Sequence, residues 1–511
     1  MKNRHLQKII IGILSVTMLS SCRIIDAITS RVDDTTSEYT PPSHSEVIND
    51  SEDLAQGFRR PGKSKHNYRD LITAQTIDSL PSTGTQNVLV VPVEFPDYPA
   101  SNLPGGATAA RNRIEKAFFG NANETDWQSV KSYYYESSYG KLNLTGEVLP
   151  WLNVGISSTS LPYKTEDKYG RPYLDPTYYV LDVLKEKYPD KLKQYDKDKN
   201  GFVDSIFMVY SKPFDKNSDL YWAYVFWYQG RTPNKYKPEP CVYGWASYHF
   251  LNGYKSLPGS KGIDAHTYIH EFGHILGLDD LYNYDNSPEN MSGGIDMMAY
   301  NIIDHNMFHK YALDWATPIV PVEDTTIKLR PAHDSGDFII VRNDFIDSAF
   351  SEYLLIEYYQ PKGLNYKDAH ITYPGNGAKG FTENGVRIWH IDARLFKFDY
   401  NDNIVNPNNV LTDIEPWDGY YYTDIGASNT PSRSLNSGVH FVHLMEASGS
   451  NTFKTGGIAS NNTLFKKGDS FAASTKFFVN GTRFNDGTRV GYRIDIGELT
   501  ADSATINVTV I

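Results

Sequence analysis

An α+β domain followed by an all-β, sandwich-like domain is what the sequence predicts, on three observations. Apolar strand-like runs alternate with amphipathic helical patterns from about residue 86 to Trp315. After Pro318 only short β-like runs recur between turns. A chain of 511 residues is also too long for one hydrophobic core. The expected division is therefore residues 1–21, 22–85, 86–318 and 319–511.

Residues 1–21 have a basic start (Lys2, Arg4, Lys8) and an apolar stretch from Ile9 to Leu19, about 11 residues. That is too short to span a bilayer as a helix. With Leu19-Ser20-Ser21-Cys22 after it, the segment resembles a bacterial lipoprotein signal peptide cut just before Cys22. The resemblance implies a lipid on the Cys22 sulfur, an extracytoplasmic location and a membrane anchor without a membrane span. A simple secretory signal or a short buried helix is the alternative. Residues 22–85 are polar and rich in Ser, Thr, Asp and Pro, and are expected to form a flexible tether with a possible pro-region.

Order is expected from Val88–Phe95, a continuous apolar run that reads as a buried strand. Pro92 within it implies an edge, a bulge or a strand end. A helix should follow with Ala110, Ile114, Ala117 and Phe118 on one face. Another should start near Asp175-Pro176, bury Val180, Val183 and Leu184, and lead toward a central strand at Ile206–Tyr210. The aromatic run Tyr221–Tyr228 reads as a strand near the cleft, half of it core. In the β-rich part, strands are expected at Thr326–Leu329, Phe338–Val341, Tyr353–Tyr358, Val386–Ile391 and Ala504–Val510.

A net charge of −12 offers no basic stripe for phosphates, so nucleic acid is not an expected partner. The two cysteines are Cys22 and Cys241. With Cys22 lipidated, Cys241 is expected as a buried thiol, the alternative being a metal ligand.

The chemistry concentrates in His270-Glu271-Phe272-Gly273-His274-Ile275-Leu276-Gly277-Leu278-Asp279-Asp280. On a helix, His270 and His274 share a face one turn apart and suit adjacent corners of a tetrahedral zinc site. Glu271 is offset from that face, placed to act on a water rather than to ligate. Gly277 suits a left-handed helix end, after which Asp280 can return as third ligand. Asp279 is the rival for that role, and a distant Glu289 is a further alternative. Ile269, Phe272, Ile275, Leu276 and Leu278 should bury the helix, so two inward histidines need a partner. His266 is expected to be structural or to support the ligands. The Asp296-Met297-Met298-Ala299-Tyr300 segment follows.

This pattern resembles the metzincin clan of zinc proteases, and with Asp as third ligand it most resembles the immune-inhibitor-A family of bacterial secreted metalloproteases. The segments Ser129–Tyr134, Ser138–Leu142 and Gly385–Asp392 are also similar to that family, so the likeness spans roughly residues 86 to 511. It implies a metzincin-like catalytic domain in which His270, His274 and Asp280 hold Zn2+ and Glu271 is the general base. Met298 would be the methionine-turn residue, with Met297 as the neighbouring candidate. Tyr300 would stabilise the transition state; a packed or exposed tyrosine is the plainer reading. The implied activity is endopeptidase cleavage of extracellular or surface proteins by a monomer. The other readings are a surface-anchored binding module or adhesin with a vestigial zinc site, and hydrolysis of a peptide-linked cell-wall component.

A second metal motif runs from Asp196 to Asp204. Asp196, Asp198, Asn200, the Phe202 carbonyl and Asp204, with Gly201 at the sixth position, resemble an EF-hand-type Ca2+ loop. Phe207 stands at the twelfth position, where such loops place a glutamate, so a further ligand from elsewhere is expected. An Asx-rich turn is the alternative.

Overall fold

Val88–Phe95 and Ile206–Tyr210, the two continuous apolar runs, pair side by side. In the computed structural model they are parallel neighbours, Leu89 opposite Ile206 and Val93 opposite Tyr210. The structure describes residues 39–41, 50–161, 177–218, 220–228, 232–253, 260–299, 301–371, 373, 379–472 and 481–511. The signal peptide with Cys22, the residues at Asp175-Pro176 and Tyr300 lie outside them.

These strands are the middle of a six-stranded sheet. Its order is Leu142–Val148, Gly84–Glu94, Ile206–Tyr210, Val242–Ser247 and Tyr224–Trp227, with Leu152–Asn153 also pairing Val93–Glu94. The first four run parallel, and Tyr224–Trp227 closes the edge antiparallel. Pro92 is therefore not on an edge strand. Pairing with Leu142–Val148 stops at Val90 and resumes at Val93 with Leu152–Asn153, so Pro92 falls in the gap between partners. Parallel sheets are buried on both faces, which accounts for the unbroken apolar runs.

The helix Gly106–Phe119 buries Ala110, Ile114, Ala117 and Phe118, the face its periodicity predicts. Phe118 packs against Phe207 of the sheet and stacks on Tyr268 of the helix His266–Ile275. Thr177–Lys187 buries Val180 and Leu184, while Val183 is half-buried. Its Thr177 hydroxyl meets Tyr243, whose neighbour Gly244 faces Phe207 on the other side of the sheet.

Beyond residue 318 there are two four-stranded antiparallel sheets. One contains Thr325–Leu329, Ala504–Val510, Tyr492–Leu499 and Ser470–Ala472; the other contains Ile339–Val341, Glu352–Tyr359, Gly385–Asp392 and Val442–Leu444. Their facing residues, such as Ile327, Ile506, Leu354, Ile356 and Ile388, share one apolar core. The second sheet is buried on its other face too. Tyr353, Leu355, Tyr359, Trp389 and Ile391 alternate with those residues and join the large core. That core draws residues from both sides of position 318, from Tyr68 to Leu464.

Residues 50–81 depart from the tether expected there. Phe58–Arg59 pairs antiparallel with Val320–Pro321. Tyr68–Ala74 is a helix with a reciprocal Asn67–Asp70 capping box, and it buries Tyr68, Leu71 and Ile72. Those three apolar residues, spaced at i, i+3 and i+4, make a small helical face that the surrounding Ser, Asp and Pro content masks. Among the described residues, no helix is long and apolar enough to cross a membrane.

Candidate metal centre

The helix His266–Ile275 lies under the sheet with Tyr268, Ile269, Phe272 and Ile275 buried. The Tyr268 hydroxyl donates to the Ser247 carbonyl at 2.9 Å, and the Tyr134 hydroxyl donates to the Ile269 carbonyl at 2.7 Å. Tyr134 comes from the helix Val130–Ser137, whose N-terminus is capped by Ser129. So the segment Ser129–Tyr134 braces the histidine helix, and Ser138–Leu142 leads out of the helix next to it.

The helix ends as its sequence predicts. Gly277 has φ +102, its N–H donates to the His274 carbonyl at 2.9 Å, and the Leu278 N–H donates to the Gly273 carbonyl at 3.0 Å. This is the paired C-terminal hydrogen bonding that needs a left-handed residue. A Cβ at Gly277 would also lie 2.7 Å from Ile72 Cδ1, so the position is closed by the helix Tyr68–Ala74.

That turn returns Asp280 to the histidines. Asp280 Oδ1 lies 2.9 Å from His270 Nε2 and 3.3 Å from His274 Nε2, and all three side chains are buried. His270 Nδ1 faces the Met297 carbonyl at 2.8 Å, and His274 Nδ1 faces the Leu278 carbonyl at 2.6 Å. A carbonyl only accepts, so both Nδ1 atoms carry a proton, and in the neutral imidazoles both Nε2 atoms present lone pairs. Three acceptor atoms thus converge in a buried space with no hydrogen-bond donor among them. A cation resolves that repulsion, and two imidazoles with one carboxylate are a donor set zinc accepts. With protons alone, burial opposes charge on His270 and His274, yet Asp280 lifts both above the ordinary imidazole range. Burial likewise opposes ionisation of Asp280, but the two histidines hold it well below the usual carboxylate range.

Glu271 is fully buried beside this group, and neither carboxyl oxygen has a hydrogen-bond partner among the described residues. Burial pushes its carboxyl up to about 8, against the opposing pull of His270. Met298 packs beneath the helix: a Cβ at Gly273 would meet its sulfur at 2.6 Å. Met297 contributes its carbonyl instead, so the neighbouring methionines divide the work. Asp279 is not in the group of three, and Glu289 lies 3.9 Å from His440 rather than near the histidines. His266 is half-buried against Tyr373, and desolvation of its ring pushes its pKa down to about 3, so it stays neutral.

Two supporting residues had no role in the sequence reading. The Tyr284 hydroxyl donates to Asp280 Oδ2, and Tyr282 stacks on the His270 ring with centroids 6.2 Å apart. Both follow Asp280 closely, but a tyrosine-rich chain gives no signal for which tyrosine turns inward. A surface cavity reaches Asp280, lined among others by Tyr68, Ile72, Asp279, Tyr284 and Arg433. Asp296, His305 and His309 form a second buried group of potential ligands. His305 and His309 repeat the i, i+4 spacing of the first pair, a signal present in the sequence and passed over.

In the acidic loop, hydrogen bonds run mostly from the loop's own backbone. Asp196 Oδ2 accepts from Gly201 N at 3.1 Å, Asp204 Oδ2 from Lys197 N at 3.1 Å, and Asn200 Oδ1 from Phe202 N at 2.8 Å. Asp198 Oδ1 accepts from Asn200 N at 3.1 Å. Among the described residues, Asp196 Oδ1 is buried without a partner. Burial pushes the Asp204 carboxyl up to about 7, with Asp78, Asp198 and Asp196 adding to the rise. Asp78, from the segment expected to be a tether, therefore supplies an acidic group from elsewhere in the chain, and Arg69 pairs with it at 3.1 Å. Cys241 is buried and exchanges hydrogen bonds with the backbone of Asp78, Sγ to the carbonyl at 3.1 Å and the amide to Sγ at 3.1 Å.

No family model matches this chain, and no curated protein matches it significantly.

Proposed function

We propose that this chain is a zinc-dependent endopeptidase with a metzincin-like catalytic domain, similar to the immune-inhibitor-A family, acting on extracellular or surface proteins. The observation that supports this reading most is the convergence of His270 Nε2, His274 Nε2 and Asp280 Oδ1, all lone-pair donors, beside an unpartnered Glu271. A zinc ion held by those three atoms would supply Lewis acidity toward a peptide carbonyl and acidify a water. Glu271, uncommitted to any hydrogen bond among the described residues, would accept the proton of the attacking water and return it to the leaving amine. Its buried setting, which raises the carboxyl's proton affinity, suits both halves of that transfer. The Nδ1 contacts to Met297 and Leu278 fix the imidazole tautomers, and Tyr284 orients Asp280. Tyr300 is assigned to the transition state on the family resemblance.

The remaining expectations belong to the same proposal. Residues 86–318 form the catalytic part and 319–511 the β-rich part. Asp196, Asp198, Asn200, the Phe202 carbonyl and Asp204 hold a structural Ca2+. A lipid on Cys22 keeps the monomer on the outer side of a membrane.

The test is cleavage of casein or gelatin by purified chain from Arg23 to Ile511, with and without chelator, beside Glu271→Ala. Cleavage lost in the variant with zinc content retained supports the proposal. A wild type that binds zinc and cleaves nothing across a peptide library sinks it.

A further inference from the structure

Behind Met298 the chain builds a second cage of the same composition. Asp296, His305 and His309 are fully buried and offer ligand atoms close together. Asp296 precedes the methionine turn, His309 lies in the helix Met307–Ala312, and His305 immediately precedes that helix's N-cap, Asn306. Asp296 Oδ1 is 3.5 Å from His309 Nδ1 and 3.8 Å from His305 Nδ1. Those separations lie at or beyond the limit for hydrogen bonds. They match the edges of a tetrahedral shell: ligands held at roughly 2.1 Å from zinc stand roughly 3.4 Å apart, whereas an octahedral shell brings them to roughly 3.0 Å.

The hydrogen bonding around the cage points the same way. Among the described residues, all four ring nitrogens of His305 and His309 are buried with no partner in hydrogen-bond geometry. The nearby tyrosines do not serve them, since the Tyr133 hydroxyl donates to the Ile303 carbonyl and the Tyr134 hydroxyl to the Ile269 carbonyl. Asp296 is held in place by other groups, its Oδ1 accepting from Met298 N and its Oδ2 from the backbone and side-chain nitrogens of Asn306, each at 2.8 Å. A carboxylate so oriented keeps a lone pair on Oδ1 facing the two imidazoles. Buried polar side chains without partners are rare, and two histidines in one cage are rarer still.

We infer that Asp296, His305 and His309 form a second zinc site, structural in role, that ties the methionine turn to the helix Met307–Ala312. Three protein donors leave one tetrahedral corner for a water. The site stands on its own residues and does not depend on the endopeptidase reading.

The test counts zinc by plasma mass spectrometry in the purified full chain after dialysis against zinc-free buffer. The wild type should carry two zinc per chain, His270→Ala/His274→Ala one, and His305→Gln/His309→Gln one. Diffraction at the zinc edge from the His270→Ala/His274→Ala variant should give an anomalous peak between Asp296 Oδ1 and the two Nδ1 atoms. One zinc in the wild type and none in that variant overturns the inference, as does a water without anomalous signal in the cage. If the His305/His309 variant fails to fold, the His270/His274 variant alone decides. A wild type with one zinc that the His270/His274 variant keeps upholds this site and sinks the other.

Discussion

Two buried groups of one aspartate and two histidines lie close to Met298, and they share a set of side-chain types while differing in surroundings. His270, His274 and Asp280 have Glu271 alongside and a surface cavity reaching Asp280. Asp296, His305 and His309 are sealed within the core, with aromatic rings of Tyr133, Phe308 and Trp315 around the imidazoles. The same three side-chain types can therefore stand in quite different surroundings. A buried carboxyl with neither oxygen hydrogen-bonded among the described residues, and a cavity that reaches Asp280, distinguish the first group.

The largest effect should fall where the two groups differ most. Glu271→Ala should lower proteolysis by roughly a hundredfold to ten-thousandfold while zinc content stays at the wild-type level. Equal loss of zinc and activity would mean that Glu271 holds the site together instead of acting on water.

Asp296→Asn tests the sealed group. Removing a buried charge that faces two histidines should cost about 3 kcal/mol in urea unfolding. A cost below about 0.5 kcal/mol would show that the cage contributes nothing to the fold.

Metal-free protein separates the groups by pH. Burial pushes Glu271 up to about 8 from an ordinary 4.5, so the unfolded chain ionises first and stability falls as pH rises between those values. The urea midpoint of chelated protein should fall across that window, and Glu271→Gln should flatten the slope. An unchanged slope in the variant would assign it to other groups, such as Asp204, whose carboxyl is also pushed up, to about 7.

Gly277→Ala probes the turn that returns Asp280. The φ of +102 and the 2.7 Å approach to Ile72 should together cost about 2 kcal/mol in thermal unfolding. A variant as stable as wild type would mean that the helix Tyr68–Ala74 yields at no cost. The smallest expected change is Tyr284→Phe, which removes the hydroxyl on Asp280 and should weaken zinc affinity about tenfold in competition with a chelator. Unaltered affinity would leave Tyr284 a packing residue.

Much of this arrangement was legible because its signals are local. The face Ala110, Ile114, Ala117 and Phe118 and the strands after Pro318 follow from periodicity over a few residues. The helix end at Gly277 and the return of Asp280 follow from one backbone requirement. The helix Tyr68–Ala74 was hidden because three apolar residues in a polar stretch carry little weight until a partner surface exists. The roles of Tyr282 and Tyr284 were hidden for the same reason.

The sequence by itself determined which atoms could meet: two imidazoles one helical turn apart, a glycine able to reverse the chain, and a carboxylate within reach of them. Helical spacing and left-handed backbone geometry are properties of neighbouring residues, so a linear reading captures them. Only the tertiary structure decided which aspartate arrived, which methionine lay beneath the helix, and that Asp78 approaches the acidic loop. Those outcomes depend on packing between segments far apart in the chain, where side-chain volume and buried polar pairing select among partners that the sequence leaves equivalent.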